Sequence, residues 1–70
     1  MNEKLFKVAG YRTMLGLTQK DLSLKLGITT ENYSLKERGK RRFNDNEKMI
    51  LVDLFKIIDP SLTIDKLFFK

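Results

Sequence analysis

The chain has 70 residues, 41% of them hydrophobic, and carries a formal net charge of +5 at pH 7. It contains neither cysteine nor histidine, which excludes disulfides and thiolate metal sites and removes the commonest general base and metal ligand. No apolar run approaches the ~20 residues of a membrane-spanning helix. We therefore expect one small domain over residues 1–70 in a reducing cytoplasm, with no signal segment and no membrane contact.

An N-terminal helix is predicted to begin at Asn2, which can cap it, and to stop at Gly16, where glycine can adopt a positive φ. Gly10 lies inside this pattern and would allow another helix to approach closely. Residues at spacings of three and four define an inward face. They are Leu5, Val8, Ala9, Arg12 and Leu15, with Phe6 and Met14 widening the face.

The next two helical patterns flank a tight turn at Gly27. Thr18 and Asp21 have the spacing of a capping box at the start of the second helix. Gly27 stands where a left-handed residue ends that helix, Thr29 caps the third helix and Gly39 ends it. Two short helices around such a turn are typical of a DNA-binding helix-turn-helix.

The third helix has an outer and an inner side. At about 100° per residue, Thr30, Glu31 and Ser34 project from neighbouring parts of the outer side. Tyr33 lies on the inner side, where its hydroxyl needs a polar partner or water. Lys36 shares the inner side, so we expect its stem to pack and its ammonium group to snorkel outward.

A fourth helix is predicted from the capping pair Asn44 and Glu47 to about Ile58, and a last short helix covers Ile64 to Phe68. Apolar residues occupy more than half of the circumference of the fourth helix, which is wider than the stripe of an ordinary surface helix. They are Ile50, Leu51, Val52, Leu54, Phe55, Ile57 and Ile58. The sequence therefore predicts a compact all-α fold of five short helices.

Helix-turn-helix geometry makes the outer side of the third helix the candidate for reading bases. In this geometry the second helix of the pair enters the major groove. The candidates are Thr30, Glu31, Ser34 and Leu35. Threonine and serine donate or accept, glutamate accepts from a cytosine amino group, and leucine contacts a thymine methyl. Thr30, Glu31 and Ser34 stand where arginine, glutamine or asparagine would make the strongest bidentate contacts to bases. Sequence specificity is therefore expected to depend partly on DNA shape. The alternative is that these are simply exposed helix residues.

Candidate phosphate ligands lie at two places. The start of the second helix offers backbone N–H groups and polar side chains, and cations follow the third helix. These residues are Thr18 and Gln19 at the first place and Arg38, Lys40, Arg41 and Arg42 at the second. The alternative to phosphate binding is that Thr18 serves only as a helix cap, and that Gln19 and the basic loop are only solvated.

Arg12 and Glu37 fall on the inward sides of the first and third helices, next to apolar residues. A salt bridge between them would tie the two helices together. Such a pair is weak evidence for stability but can fix orientation.

The stretches LTQKDLSLKLGI and YSLKERGKRRF resemble the Cro and lambda-repressor-like helix-turn-helix family of phage and bacterial regulators. The resemblance covers roughly residues 8–68. It implies a five-helix domain in a bacterial cytoplasm that binds double-stranded operator DNA, usually as a dimer. It also implies roles for the residues already named: a phosphate contact from Gln19, base contacts from Thr30, Glu31 and Ser34, phosphate contacts from Arg38 and the basic loop, and a buried pair of Arg12 with Glu37. The chain departs from many members at Thr30, Lys36 and Phe43.

The leading interpretation is a sequence-specific transcriptional regulator, a Cro-like repressor that forms a homodimer through its C-terminal half. The dimer contact would bury the apolar stripe of the fourth helix and also Phe55, Leu67, Phe68 and Phe69. The alternative is that the stripe and these four residues fill the core of a single chain. Neither an enzyme activity nor a cofactor or metal is expected. A competing interpretation is a protein-interaction module of the same fold, which binds a second regulator as an antirepressor or antitoxin partner.

Overall fold

The computed structural model of the chain describes residues 6–69, which form helices and turns and no strand. The predicted cap Asn2 and the predicted inward side chains of Leu5 and Phe6 lie outside what it describes. Over residues 6–69, none of the helices has the length and apolarity needed to cross a bilayer. The helices of this range are α1 (Phe6–Met14), α2 (Gln19–Leu26), α3 (Thr30–Glu37), α4 (Asp45–Phe55) and α5 (Ile64–Phe68). The all-helical prediction is confirmed for these residues.

Side-chain caps fix where α2 to α5 begin. Thr18 Oγ1 accepts a hydrogen bond from the backbone N–H of Asp21 at 3.0 Å, and Asp21 Oδ2 accepts one from the N–H of Thr18 at 2.8 Å. Asn44 and Glu47 form the same reciprocal pair at 2.8 and 2.9 Å. The other caps are Thr29 of α3, as predicted, and Thr63 of α5. Each cap stabilises its helix by about 1 kcal/mol.

Glycines in the left-handed region reverse the chain after the first three helices. The φ angles are +73° at Gly16, +71° at Gly27 and +80° at Gly39. After α3, the N–H of Lys40 donates to the carbonyl of Leu35 at 2.8 Å, which satisfies a carbonyl left open at the helix end. The predicted stops are therefore confirmed.

Two predictions for α1 are wrong. Among the residues that the structure describes, no side chain or other helix comes within 4 Å of the place where a Cβ on Gly10 would lie, so none of their helices uses this glycine for a close approach. Met14 is 66% exposed instead of facing inward. It follows the buried Val8 by six residues, about 120° around the helix axis, and so it points away from the core.

α4 ends at Phe55, short of the predicted Ile58. The N–H groups of Ile57 and Ile58 donate to the carbonyls of the residues three positions earlier, at 3.3 and 3.0 Å. The chain therefore tightens into a turn before Pro60. As a result, Ile57 points into solvent and is 72% exposed.

The hydrophobic core lies where the helices meet. Tyr11 stacks on Phe55 with ring centroids 5.3 Å apart. Phe43, from the loop before α4, packs between Tyr33 at 5.9 Å and Phe68 at 5.7 Å. The Cα radius of gyration is 11.0 Å, equal to the ~11 Å expected of a folded domain of this length. The buried hydrophobic residues are Val8, Leu22, Tyr33, Phe43, Leu51, Val52, Phe55, Leu62 and Leu67.

Candidate nucleic-acid interface

One buried carboxylate links α1, α2 and α3. Glu37, at the end of α3, accepts hydrogen bonds from Arg12 Nε at 2.8 Å and Arg12 Nη2 at 3.2 Å. It also accepts from Gln19 Nε2 at 2.9 Å and from the hydroxyl of Tyr33 at 2.7 Å. Arg12 and Glu37 thus form an ion pair, and the buried Tyr33 hydroxyl has a polar partner. Because the donors come from three helices, this network fixes the orientation of α3.

The network also sets the protonation of its members. Burial alone raises the pKa of the Glu37 carboxyl, but hydrogen bonds from Arg12, Tyr33 and Gln19 outweigh burial and hold the pKa below its ordinary value. Burial, followed by the hydrogen bond to Glu37, raises the pKa of the Tyr33 phenol. Glu37 is therefore an ionised acceptor at neutral pH and Tyr33 a neutral donor.

A second ion pair joins the inner side of α3 to α4. Lys36 Nζ lies 2.7 Å from Glu47 Oε1 and 2.8 Å from Glu47 Oε2. The predicted outward snorkelling of the Lys36 ammonium is therefore wrong, because Glu47 offers it a largely buried partner. Tyr33, Lys36 and Glu37 together bind the inner side of α3 to the rest of the fold.

The outer side of α3 carries the four candidate base-reading residues. Thr30 and Glu31 are exposed, and Ser34 and Leu35 are half-buried. At about 100° per residue, the four positions span an arc of about 140°. Thr30 is also within reach of α2, because its Oγ1 lies 3.3 Å from Ser23 Oγ. The outer side therefore presents a short polar surface with an apolar edge at Leu35.

The start of α2 places Thr18 and Gln19 side by side. Thr18 acts as the cap, and its hydroxyl proton remains free to donate because the cap bond uses only a lone pair of Oγ1. Gln19 is half-buried and its amide nitrogen is bound to Glu37. Its other amide hydrogen and its oxygen remain for an external ligand. Gln19 thus links the candidate phosphate contact to the network that positions α3.

The basic loop is residues 38–42 between α3 and α4. Arg38, Lys40, Arg41 and Arg42 are all exposed, and no carboxylate of residues 6–69 lies within ion-pairing distance of them. The N–H groups of Lys40 and Arg41 both donate to the carbonyl of Leu35, which holds the loop against the last turn of α3. The loop therefore carries concentrated positive charge next to the candidate reading helix.

A groove runs between the basic loop and the C-terminal aromatic residues, with a volume of about 690 Å³. Lys48 Nζ lies 5.4 Å from the ring centroid of Phe68 and 5.5 Å from that of Phe69. The residues that line the groove include Lys40, Arg41, Arg42, Lys48, Phe68 and Phe69. The groove is therefore lined by both cations and aromatic rings.

Sequence reasoning missed three contacts that position α2, α3 and α4. They are the bonds Gln19–Glu37, Ser23–Thr30 and Lys36–Glu47. A signal existed for Ser23, because a serine next to the core residue Leu22 needs a hydrogen-bond partner when it is buried. For Glu47, the sequence predicted its role in the cap of the fourth helix but not its ion pair with Lys36.

In the part of the chain that the structure describes, no group of three or more carboxylates could hold a metal ion. No protein-family model matches the chain, and no curated protein or solved structure matches it either. A proposal about function therefore rests on the arrangement of α2, α3 and the basic loop.

Proposed function

We propose that the protein is a DNA-binding transcriptional regulator of the Cro and lambda-repressor-like kind, in which α2 and α3 form a helix-turn-helix. The observation that carries the proposal is the division of α3 into two sides. On the inner side, Tyr33 is packed in the core and Lys36 and Glu37 form ion pairs with α4 and α1. The outer side presents polar residues beside a run of exposed cations. A rigid helix with these surroundings suits the major groove and its flanking phosphates.

In this proposal α3 lies in the major groove and α2 crosses the phosphate backbone. Phosphate contacts set the register, whereas base contacts and DNA shape supply the sequence preference. The network around Glu37 holds α3 in place before DNA arrives, so little ordering is needed on binding. The residues assigned to bases are Thr30, Glu31, Ser34 and Leu35, and those assigned to phosphates are Thr18, Gln19, Arg38, Lys40, Arg41 and Arg42.

Selection of bound duplexes from a random pool, followed by titration of the recovered sequence at several salt concentrations, tests the proposal. A consensus sequence whose affinity falls steeply as salt rises supports it, because phosphate contacts release counterions. An absence of binding at every salt concentration, or binding that does not respond to salt, contradicts it.

We further propose that the regulator acts as a homodimer through its C-terminal half. Of the residues first assigned to the dimer, four are in the core, namely Leu51, Val52, Phe55 and Leu67, and Leu54 and Phe68 pack against it. Ile57 and Phe69 remain strongly exposed on the C-terminal half, and a two-fold contact would cover them. Such a dimer would present its two α3 helices to half-sites about 34 Å apart.

The groove beside the basic loop supports a second candidate function, binding to another regulator as an antirepressor or antitoxin partner. The cations and aromatic rings that line it suit an acidic segment with apolar side chains. Selection from random DNA separates the two candidates. Bound DNA with no consensus favours the interaction module, and a recovered consensus favours the regulator.

A further inference from the structure

Two hydroxyl groups and one carbonyl form a short chain between α2 and α3. Ser23 is only 2% exposed, and its Oγ lies 2.7 Å from the carbonyl oxygen of Lys20. The same Oγ lies 3.3 Å from Oγ1 of Thr30, the first residue of α3. Ser23 therefore sits between an oxygen that only accepts and an oxygen that can donate or accept.

The direction of the second hydrogen bond follows from the first. A serine hydroxyl has one hydrogen, and at 2.7 Å this hydrogen is donated to the carbonyl of Lys20. Ser23 then offers only a lone pair to its other neighbour. A hydrogen bond between the two hydroxyl groups therefore has Thr30 as its donor, and this bond leaves the lone pairs of Thr30 Oγ1 for the surroundings.

We propose that the Lys20–Ser23–Thr30 chain turns Thr30 into a hydrogen-bond acceptor toward DNA, so that α3 selects an amino-bearing base at the position it contacts. This inference rests on the proposed function. In the major groove, cytosine and adenine present amino donors, whereas guanine O6 and thymine O4 accept. Thr30 therefore favours cytosine or adenine over guanine or thymine on the strand it contacts.

The neighbouring residues extend the same preference. The exposed carboxylate of Glu31 also only accepts, so two adjacent acceptors stand at the N-terminal end of α3. Ser34, one turn further, is a half-buried residue whose hydroxyl can donate or accept. The proposal thus assigns strict polarity to Thr30 and Glu31 and leaves Ser34 permissive.

Selection from random duplexes with three variants tests the proposal. Thr30→Val keeps the shape of the side chain and removes its oxygen. The base position at which this variant loses the preference of the wild type is the position that Thr30 contacts. At that position, Ser23→Ala should reduce the preference for cytosine or adenine from about fivefold to less than twofold, because the freed hydroxyl can then donate to a carbonyl. Thr30→Ser keeps the hydroxyl and should keep the preference.

The outcomes separate this inference from the proposed function. A consensus with guanine or thymine at the Thr30 position, or a preference that Ser23→Ala leaves unchanged, overturns the inference and leaves the regulator standing. A wild-type protein that recovers no consensus overturns both. Thermal unfolding must show that Ser23→Ala is folded; should it not be, neutron diffraction of the wild type decides. A deuteron on Thr30 directed at Ser23 supports the inference, and one directed to solvent overturns it.

Discussion

Lys36 of α3 and Glu47 of α4 form an ion pair in which the side chains are only 15% and 5% exposed. The two oxygens of Glu47 lie 2.7 and 2.8 Å from Lys36 Nζ. Glu47 Oε1 also accepts from the backbone N–H of its cap partner Asn44 at 2.9 Å. One carboxylate therefore both begins α4 and attaches it to the inner side of the candidate reading helix.

Removing the lysine should leave this carboxylate without its counter-charge. We expect Lys36→Met to lower the free energy of unfolding by about 3 kcal/mol, because an unpaired buried charge costs more than the pair contributes. The double variant Lys36→Met, Glu47→Gln should recover more than half of that loss, since glutamine can keep the cap bond while losing the charge. Urea unfolding of the two variants measures both values. Equal losses in the single and double variants would show that the pair is not the cause.

The Glu37 network predicts acid sensitivity. The pKa of Glu37 is lower in the folded protein than its ordinary value, so its stabilising contribution is complete above about pH 4.3, the unfolded value. This contribution is lost as the pH falls from there through the folded pKa. Glu37→Gln should be less stable than the wild type at pH 7, and its melting temperature should fall less between pH 5 and pH 2. Parallel melting curves of the two proteins would argue against Glu37 as a source of the acid response.

The sequence allowed the caps and turns to be predicted because these depend on residues close along the chain. The Thr18–Asp21 box needs two residue types three positions apart, and the turn at Gly27 needs a residue that tolerates positive φ. Period alone also placed Tyr33 inside and Thr30 outside.

One contact between helices, the Arg12–Glu37 ion pair, could be predicted because both charges fall on the inward sides of their helices. The other contacts between helices gave no such signal. Lys36 and Glu47 lie 11 positions apart, and their meeting depends on how α3 packs against α4, which no local pattern encodes. The direction of the Thr30 hydroxyl depends likewise on Ser23 across the turn. The helical period was enough to predict which side of α3 is exposed. Predicting the hydrogen bonds of the side chains on that side required the three-dimensional packing of the helices.

Two glycines should respond in opposite ways to alanine. Gly27 has a φ of +71° and open space where the methyl group of an alanine would lie, so Gly27→Ala should cost about 1 kcal/mol from backbone strain alone. Gly10 lies inside α1 with equally open space, so Gly10→Ala should stabilise by about 1 kcal/mol through helix propensity. Urea unfolding compares the pair. A loss of stability in Gly10→Ala would mean that another element does approach this helix.

The basic loop should determine how DNA affinity depends on salt. If Arg41 and Arg42 each neutralise a phosphate, the double variant Arg41→Ala, Arg42→Ala should reduce the slope of log K against log salt by about 2. The loss should be similar for all DNA sequences. Fluorescence anisotropy over a series of salt concentrations gives the slope.

Lys56 provides the control for this measurement, because it is an exposed cation at the end of α4, away from the basic loop in sequence. Lys56→Ala changes the net charge without removing a proposed phosphate contact, so its slope should equal that of the wild type. If Lys56→Ala reduces the slope by as much per removed charge as the double arginine variant does, the salt dependence comes from the overall net charge and not from the basic loop.

Ile57 should control association. It is 72% exposed after the end of α4, and a glutamate there would place charge in the proposed two-fold contact, where it has no partner. We expect the wild type to sediment as a dimer at high concentration or with operator DNA, and Ile57→Glu to sediment as a monomer. Leu24→Glu is the matched control, since Leu24 is similarly exposed but lies on α2, outside the C-terminal half; it should leave the dimer intact. A monomeric wild type with operator present, or a dimer that only Leu24→Glu disrupts, would exclude the C-terminal interface.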